Sequence, residues 1–68
     1  MLNGAPDLIV FSPEGKAHFL EFKSESGTLS AAQKDFMLWS SEADLPYSVA
    51  RSVDEALKQF EIWEAIPR

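Results

Sequence analysis

The order of local patterns predicts an α/β domain of element order β-β-α-β-α, with a three-stranded mixed sheet and two helices. Three observations carry that prediction. Two runs rich in β-branched and aromatic residues, Leu8 to Phe11 and Ala17 to Lys23, flank a Ser12-Pro13-Glu14-Gly15 turn, which is a hairpin pattern. Two helix-start signatures, Ser30 with Gln33 and Ser52 with Glu55, each open a stripe of apolar residues at helical spacing. Between those helices lies one more strand-like run, Tyr47 to Arg51, so a strand-helix-strand unit follows the hairpin. Such a unit needs a right-handed crossover and sets the third strand parallel to the second, beside it.

The first strand, Leu8-Ile9-Val10-Phe11, is too continuously apolar for a strand with one wet face, so burial on both faces is expected. In the turn, Pro13 suits the first central position and Gly15 supplies positive φ. On the second strand, alternation puts Glu21 and Lys23 on one face, with Phe22 anchoring the other and His18 also opposite Glu21. Residues 24–28 form a loop. Ser30 and Gln33 make a capping box with Leu29 as the staple, and a helix is expected from Ala31 to Glu42 or Ala43. Its buried stripe reads Ala32, Phe36, Trp39 and Ala43, and Leu45-Pro46 breaks it. Val53, Ala56, Leu57, Phe60 and Trp63 form the stripe of the last helix, opened by a second capping box. Met37, Leu38, Ile62 and Ile66 fall off both stripes and point to a subunit interface.

Composition narrows the function classes. A 68-residue chain with 46% apolar and 12% aromatic residues has the material for one small core, not for several domains. With no cysteine, neither disulfides nor a thiolate zinc site is available, and the single His18 cannot build a histidine-rich centre. No signal peptide and no apolar run near the ~20 residues of a membrane span are present, so a cytoplasmic protein without a membrane partner is expected. Six Lys and Arg against eleven Asp and Glu give a net charge of −5, which weighs against tight unaided nucleic-acid binding. Bound divalent ions would offset clustered carboxylate charge locally.

Charged groups on an otherwise apolar strand are costly unless paired or used, and Glu21 and Lys23 interrupt Phe19-Leu20-Glu21-Phe22-Lys23 in that way. Asp7 stands at the mouth of the first strand. Taken singly, each residue has a simpler reading: Asp7 as a turn or cap residue, Glu21 and Lys23 as a surface ion pair, Gln33 as the partner of Ser30, His18 as a half-buried structural group. The ordered series is more specific than any member. Gly4-x-Pro6-Asp7, an apolar strand, Glu21-Phe22-Lys23, then Gly27-x-Leu29-Ser30-x-x-Gln33 and Val49-Ala50-Arg51-Ser52-x-x-Glu55 together resemble the virus-type replication-repair (VRR) nuclease domain. That family is a branch of the PD-(D/E)xK phosphodiesterases, and the resemblance runs from Gly4 to about Phe60.

The resemblance implies a minimal restriction-endonuclease-like core and a metal-dependent DNA endonuclease, a homodimer acting on branched or junction DNA, in a bacterial or phage-infected cell. Asp7 and Glu21 would bind Mg²⁺ or Mn²⁺ together with the Phe22 backbone carbonyl. Lys23 would orient the water and stabilise charge on the phosphate, and Gln33 would help position Lys23, water or substrate. Lys16, Lys34 and Arg51, with Lys58, would supply the basic surface toward nucleic acid. Family members generally carry another helix with an acidic residue and another strand before the Pro-Asp motif. Residues 1–68 are therefore expected to form one minimal domain without them. The alternative expectation is a non-catalytic module of the same fold that binds protein or nucleic acid; a small structural αβ domain is the third.

Overall fold

A computed structural model describes residues 4–64. The elements are β1 (Leu8–Phe11), β2 (Ala17–Phe22), α1 (Ala31–Glu42), β3 (Tyr47–Ala50) and α2 (Val53–Trp63), in the order the sequence predicts. The sheet order is β1-β2-β3. β1 pairs antiparallel with β2, Leu8 opposite Leu20, and β3 runs parallel to β2, Phe19 beside Tyr47 and Glu21 beside Val49. The hairpin turn closes through the Gly15 N–H donating to the Ser12 carbonyl at 2.8 Å, with Gly15 at φ +84° as the turn requires.

The crossover places one helix on each side of the sheet. On one face, Phe19 packs edge-on against Phe36 of α1 at 5.1 Å, and Phe36 also meets Trp39 and Tyr47. On the other, Leu20 and Ala50 bury against Ala56, with Phe60 and Trp63 packed around them. His18 lies on this second face, its ring 5.0 Å from that of Trp63, and its Nδ1–H donates to the Lys16 carbonyl at 2.8 Å. It is a satisfied structural residue, opposite Glu21 as alternation requires.

Several expectations about burial are corrected. β1 is not covered on both faces: Leu8, Ile9 and Phe11 are exposed, because both helices lie over β2 and β3. Phe22 points away from Glu21 yet is also exposed, so it does not anchor the strand. In α1 the buried positions are Phe36 and Ser40, while Trp39 and Ala43 are exposed. The stripe is rotated because Ser40, fully buried, returns its hydroxyl to the Met37 carbonyl at 2.8 Å and behaves as a small core residue. In α2, Val53 and Leu57 are exposed and Ala56 is buried. Met37, Leu38 and Ile62 are exposed as expected, and Ile66 lies outside the described residues.

Helix ends follow local chemistry. Ser30 and Gln33 form the full reciprocal capping box, at 3.1 and 2.8 Å. At Ser52 the box is incomplete: the hydroxyl caps the Glu55 N–H, but the Glu55 carboxylate accepts from Arg51 N–H, one residue further back, at 2.7 Å. α1 stops before Leu45-Pro46, with Asp44 in the left-handed region at φ 59°. The Leu45 N–H then reaches the Ser40 carbonyl at 2.8 Å and that of Asp44 the Ser41 carbonyl at 3.1 Å, a Schellman closure without glycine. Among the described residues no helix is long and apolar enough to cross a membrane.

Candidate functional site

Gly4 brings the Pro-Asp segment to the start of α1. Its φ is +76°, and a Cβ there would collide with the Ala32 carbonyl and stand 2.7 Å from Gln33 N. Only a glycine lets the backbone cross the first turn of the helix this closely. The chain then enters β1 through Pro6 and Asp7. Continuing the antiparallel register one step beyond Leu8 and Leu20 sets Asp7 opposite Glu21, on the same face. The regular ladder ends there, and the Asp7 carboxylate takes over as acceptor: the Phe22 N–H donates to its Oδ2 at 2.9 Å. In an extended strand a residue's N–H and C=O point to the same side, so the Phe22 carbonyl shares the Asp7 side of β2.

Glu21 lies beneath α1 at 3% exposure, and its Oε1 has no hydrogen-bond partner. A buried polar atom left unpaired costs about 1–3 kcal/mol, and more when charged. Burial pushes the Glu21 carboxyl above its ordinary value; the hydrogen bond with Asp7 and the Asp7 charge push it further, against a smaller downward pull from Lys23. Two carboxylates in contact thus share a site that favours either a proton or a cation. Lys23, half-buried, continues the ladder by donating its backbone N–H to the Ala50 carbonyl at 3.0 Å. Its side chain leaves on the face that carries Glu21.

Tyr47 is the residue that sequence reasoning missed at this site. Its hydroxyl is buried without a partner. Burial, followed by the charges of Glu21 and Asp7, holds the phenol above its ordinary value, which puts it in the field of both carboxylates. The available signal was its register: a polar-tipped aromatic at the start of a strand parallel to the one bearing Glu21.

The remaining expected residues divide into two groups. Gln33 is half-buried on the first turn of α1, next to the Gly4 crossing, with its Oε1 accepting from the Ser30 N–H. Its NH₂ group is left as the donor facing other partners. Lys34 and Lys58 are exposed on the helices. Lys16 lies at the hairpin turn, 3.7 Å from Asp44. Arg51 is exposed, and one terminal nitrogen of its guanidinium, Nη1, donates to the carbonyls of Ser24 and Gly27 at 2.6 Å each and of Glu25 at 3.4 Å. Asp7, Glu21 and Lys23 therefore lie on one face of the sheet, and Gln33 lies on the helix turn that Gly4 crosses.

The donor set fits a hard divalent cation. It offers two adjacent carboxylates, one with an unpaired buried oxygen, and a backbone carbonyl on the same side. Among the described residues no group of three His, Cys, Asp or Glu side chains is placed to hold a metal, so water would complete the shell. In the comparison with protein families, residues 1–54 match the VRR-NUC domain. Neither the curated proteins nor the solved structures compared with the chain gave a match. The matched segment carries every residue of the candidate site and covers well over half of the 68 residues. The chain belongs to the VRR-NUC domain family, a family of nuclease type.

Proposed function

We propose that this domain is a divalent-metal-dependent DNA endonuclease that hydrolyses phosphodiesters at the Asp7–Glu21–Lys23 cluster. The observation that carries the reading is the buried Glu21 carboxyl set against Asp7, with its Oε1 left unpaired. A structural ion pair would not leave one oxygen buried and unsatisfied while pressing a second carboxylate against it. Asp7, Glu21 and the Phe22 carbonyl would hold Mg²⁺ or Mn²⁺. Such an ion, when bound, acidifies a water and polarises a phosphate oxygen. The protein's own groups supply the rest: Lys23 places an ammonium beside the carboxylates for the developing phosphate charge, and Gln33 offers its NH₂ group to water or phosphate. Tyr47 sets its buried hydroxyl in the field of both carboxylates.

With a net charge of −5, one chain lacks a broad basic surface. A homodimer, joining the exposed apolar strand β1 and the Lys34 and Lys58 of two chains, answers that shortage and suits branched or junction DNA. A second reading, a non-catalytic binding module, draws on the cluster's having two carboxylates and no third among the described residues.

The test is nicking of plasmid and junction DNA with Mg²⁺ or Mn²⁺ and with EDTA. Metal-dependent cleavage by the native chain should drop at least about a hundredfold in Asp7→Ala and Lys23→Ala. Equal cleavage by those variants would assign the activity to a contaminant, and metal binding without any cleavage would leave the binding module. The active species should sediment at twice the chain mass; full activity at the mass of one chain would remove the dimer from the proposal.

A further inference from the structure

Arg51 lies at the end of β3, more than twenty residues in sequence from the loop it grips. That loop, residues 24–27, follows Lys23 directly and leads to the capped start of α1. It is a tight turn, closed by the Gly27 N–H donating to the Ser24 carbonyl at 3.2 Å. Its carbonyls at 24, 25 and 27 converge on the Arg51 guanidinium. Gly27 passes close to the base of the Lys23 side chain: a Cβ at position 27 would lie 3.7 Å from Lys23 Cβ and 2.9 Å from Ser24 Oγ. The Arg51 backbone is itself held by the Glu55 carboxylate at 2.7 Å, which fixes the guanidinium relative to the first turn of α2.

We propose that Arg51 is a positioning residue for Lys23, acting through the 24–27 loop rather than by contact with nucleic acid. The inference rests on the reading of Lys23 as the ammonium of the site. All three contacts are made by one terminal nitrogen, Nη1, which stands one bond farther from the backbone than a lysine ammonium would and is held in place by the planar group. Without that nitrogen the carbonyls lose a charge-assisted partner, and the turn that follows Lys23 and passes the base of its side chain loosens. The Nη1 group engaged with the loop is not free for a phosphate, which sets the loop contact against a nucleic-acid contact.

The test compares Arg51→Lys and Arg51→Gln with the native chain. The Lys variant retains charge, and the Gln variant retains a planar donor if the other folds poorly. Amide hydrogen exchange at residues 24–28 should quicken about tenfold or more in both variants, with the Leu20 amide unchanged. The side-chain NMR resonances of Lys23 should shift in both, while those of exposed Lys58 should not. In cleavage, kcat should fall about tenfold or more with KM little changed. The salt dependence of DNA binding should keep its native slope, whereas loss of a phosphate contact would lower that slope by about one. Native loop exchange together with native Lys23 resonances would overturn the proposal, and so would a reduced salt slope. A native chain that cleaves nothing defeats the nuclease reading, while the exchange and Lys23 resonances still decide the role of Arg51.

Discussion

Glu21 has no neutral position in this fold. Its neighbours on β2, Leu20 and Phe19, are core residues, so the strand carries the carboxyl under α1 whether or not it is ionised. Burial and then Asp7 raise its proton affinity, which gives a prediction with a definite sign. A carboxyl whose folded pKa lies above its unfolded value contributes most below the unfolded value, and that contribution is lost as pH rises through the folded one. Metal-free native protein should therefore fall behind Glu21→Gln as pH rises from the ordinary carboxylate range. In thermal melts with EDTA, the difference between the two chains should widen with pH and then level off. A difference that is flat with pH would mean that Glu21 is not held uncharged by its surroundings. At this scale the sequence was informative about residue types and silent about partners. Gly4 belongs to a readable motif, but the Ala32 carbonyl that demands a glycine is brought there only by the fold. Tyr47 is legible only as a strand residue, because the carboxylates whose charge reaches its hydroxyl belong to other segments of the chain.

The helices show which local signals are reliable. Ser30 and Gln33 need only each other's backbone and side chain, so their capping box could be read from spacing and is present in full. Glu55 has the same spacing from Ser52, yet its carboxylate turns to Arg51 N–H, a donor with a position that depends on how β3 ends. The two caps therefore differ in what they hold. Ser30→Ala should cost about 1 kcal/mol, within the usual 0.5–2 kcal/mol, read as a lower urea midpoint at unchanged slope. Gln33→Ala should cost a similar fraction through the same box, and the double variant should cost less than the sum of the two. Strict additivity would show that the two residues act separately. The buried stripe of α1 was less legible. Ser40 counts as polar in any periodicity, but a serine that bonds its own helix can pack like alanine, and it draws the stripe away from Trp39 and Ala43.

At the level of the whole molecule, topology was legible because strand-helix-strand order leaves few connections, and the parallel pairing of β2 with β3 follows from it. Coverage was not. α1 and α2 flank β3 in sequence and pack on opposite sides of it, so the apolar run of β1 stays open despite its composition. The same topology makes the site. The hairpin sets Asp7 opposite Glu21, the crossover lays α1 above them, and the parallel return brings Tyr47 and then Arg51 along the same edge of the strand that leads into Lys23. These placements surround the Asp7 and Glu21 carboxylates, where we propose that a divalent cation binds. Calorimetric titration of the metal-free chain with Mn²⁺ tests this most directly. Binding should occur with proton release near neutral or mildly acidic pH, and should be lost in Asp7→Asn and in Glu21→Gln while both variants stay folded. Binding of equal strength in those two variants, or none in the native chain, would contradict it.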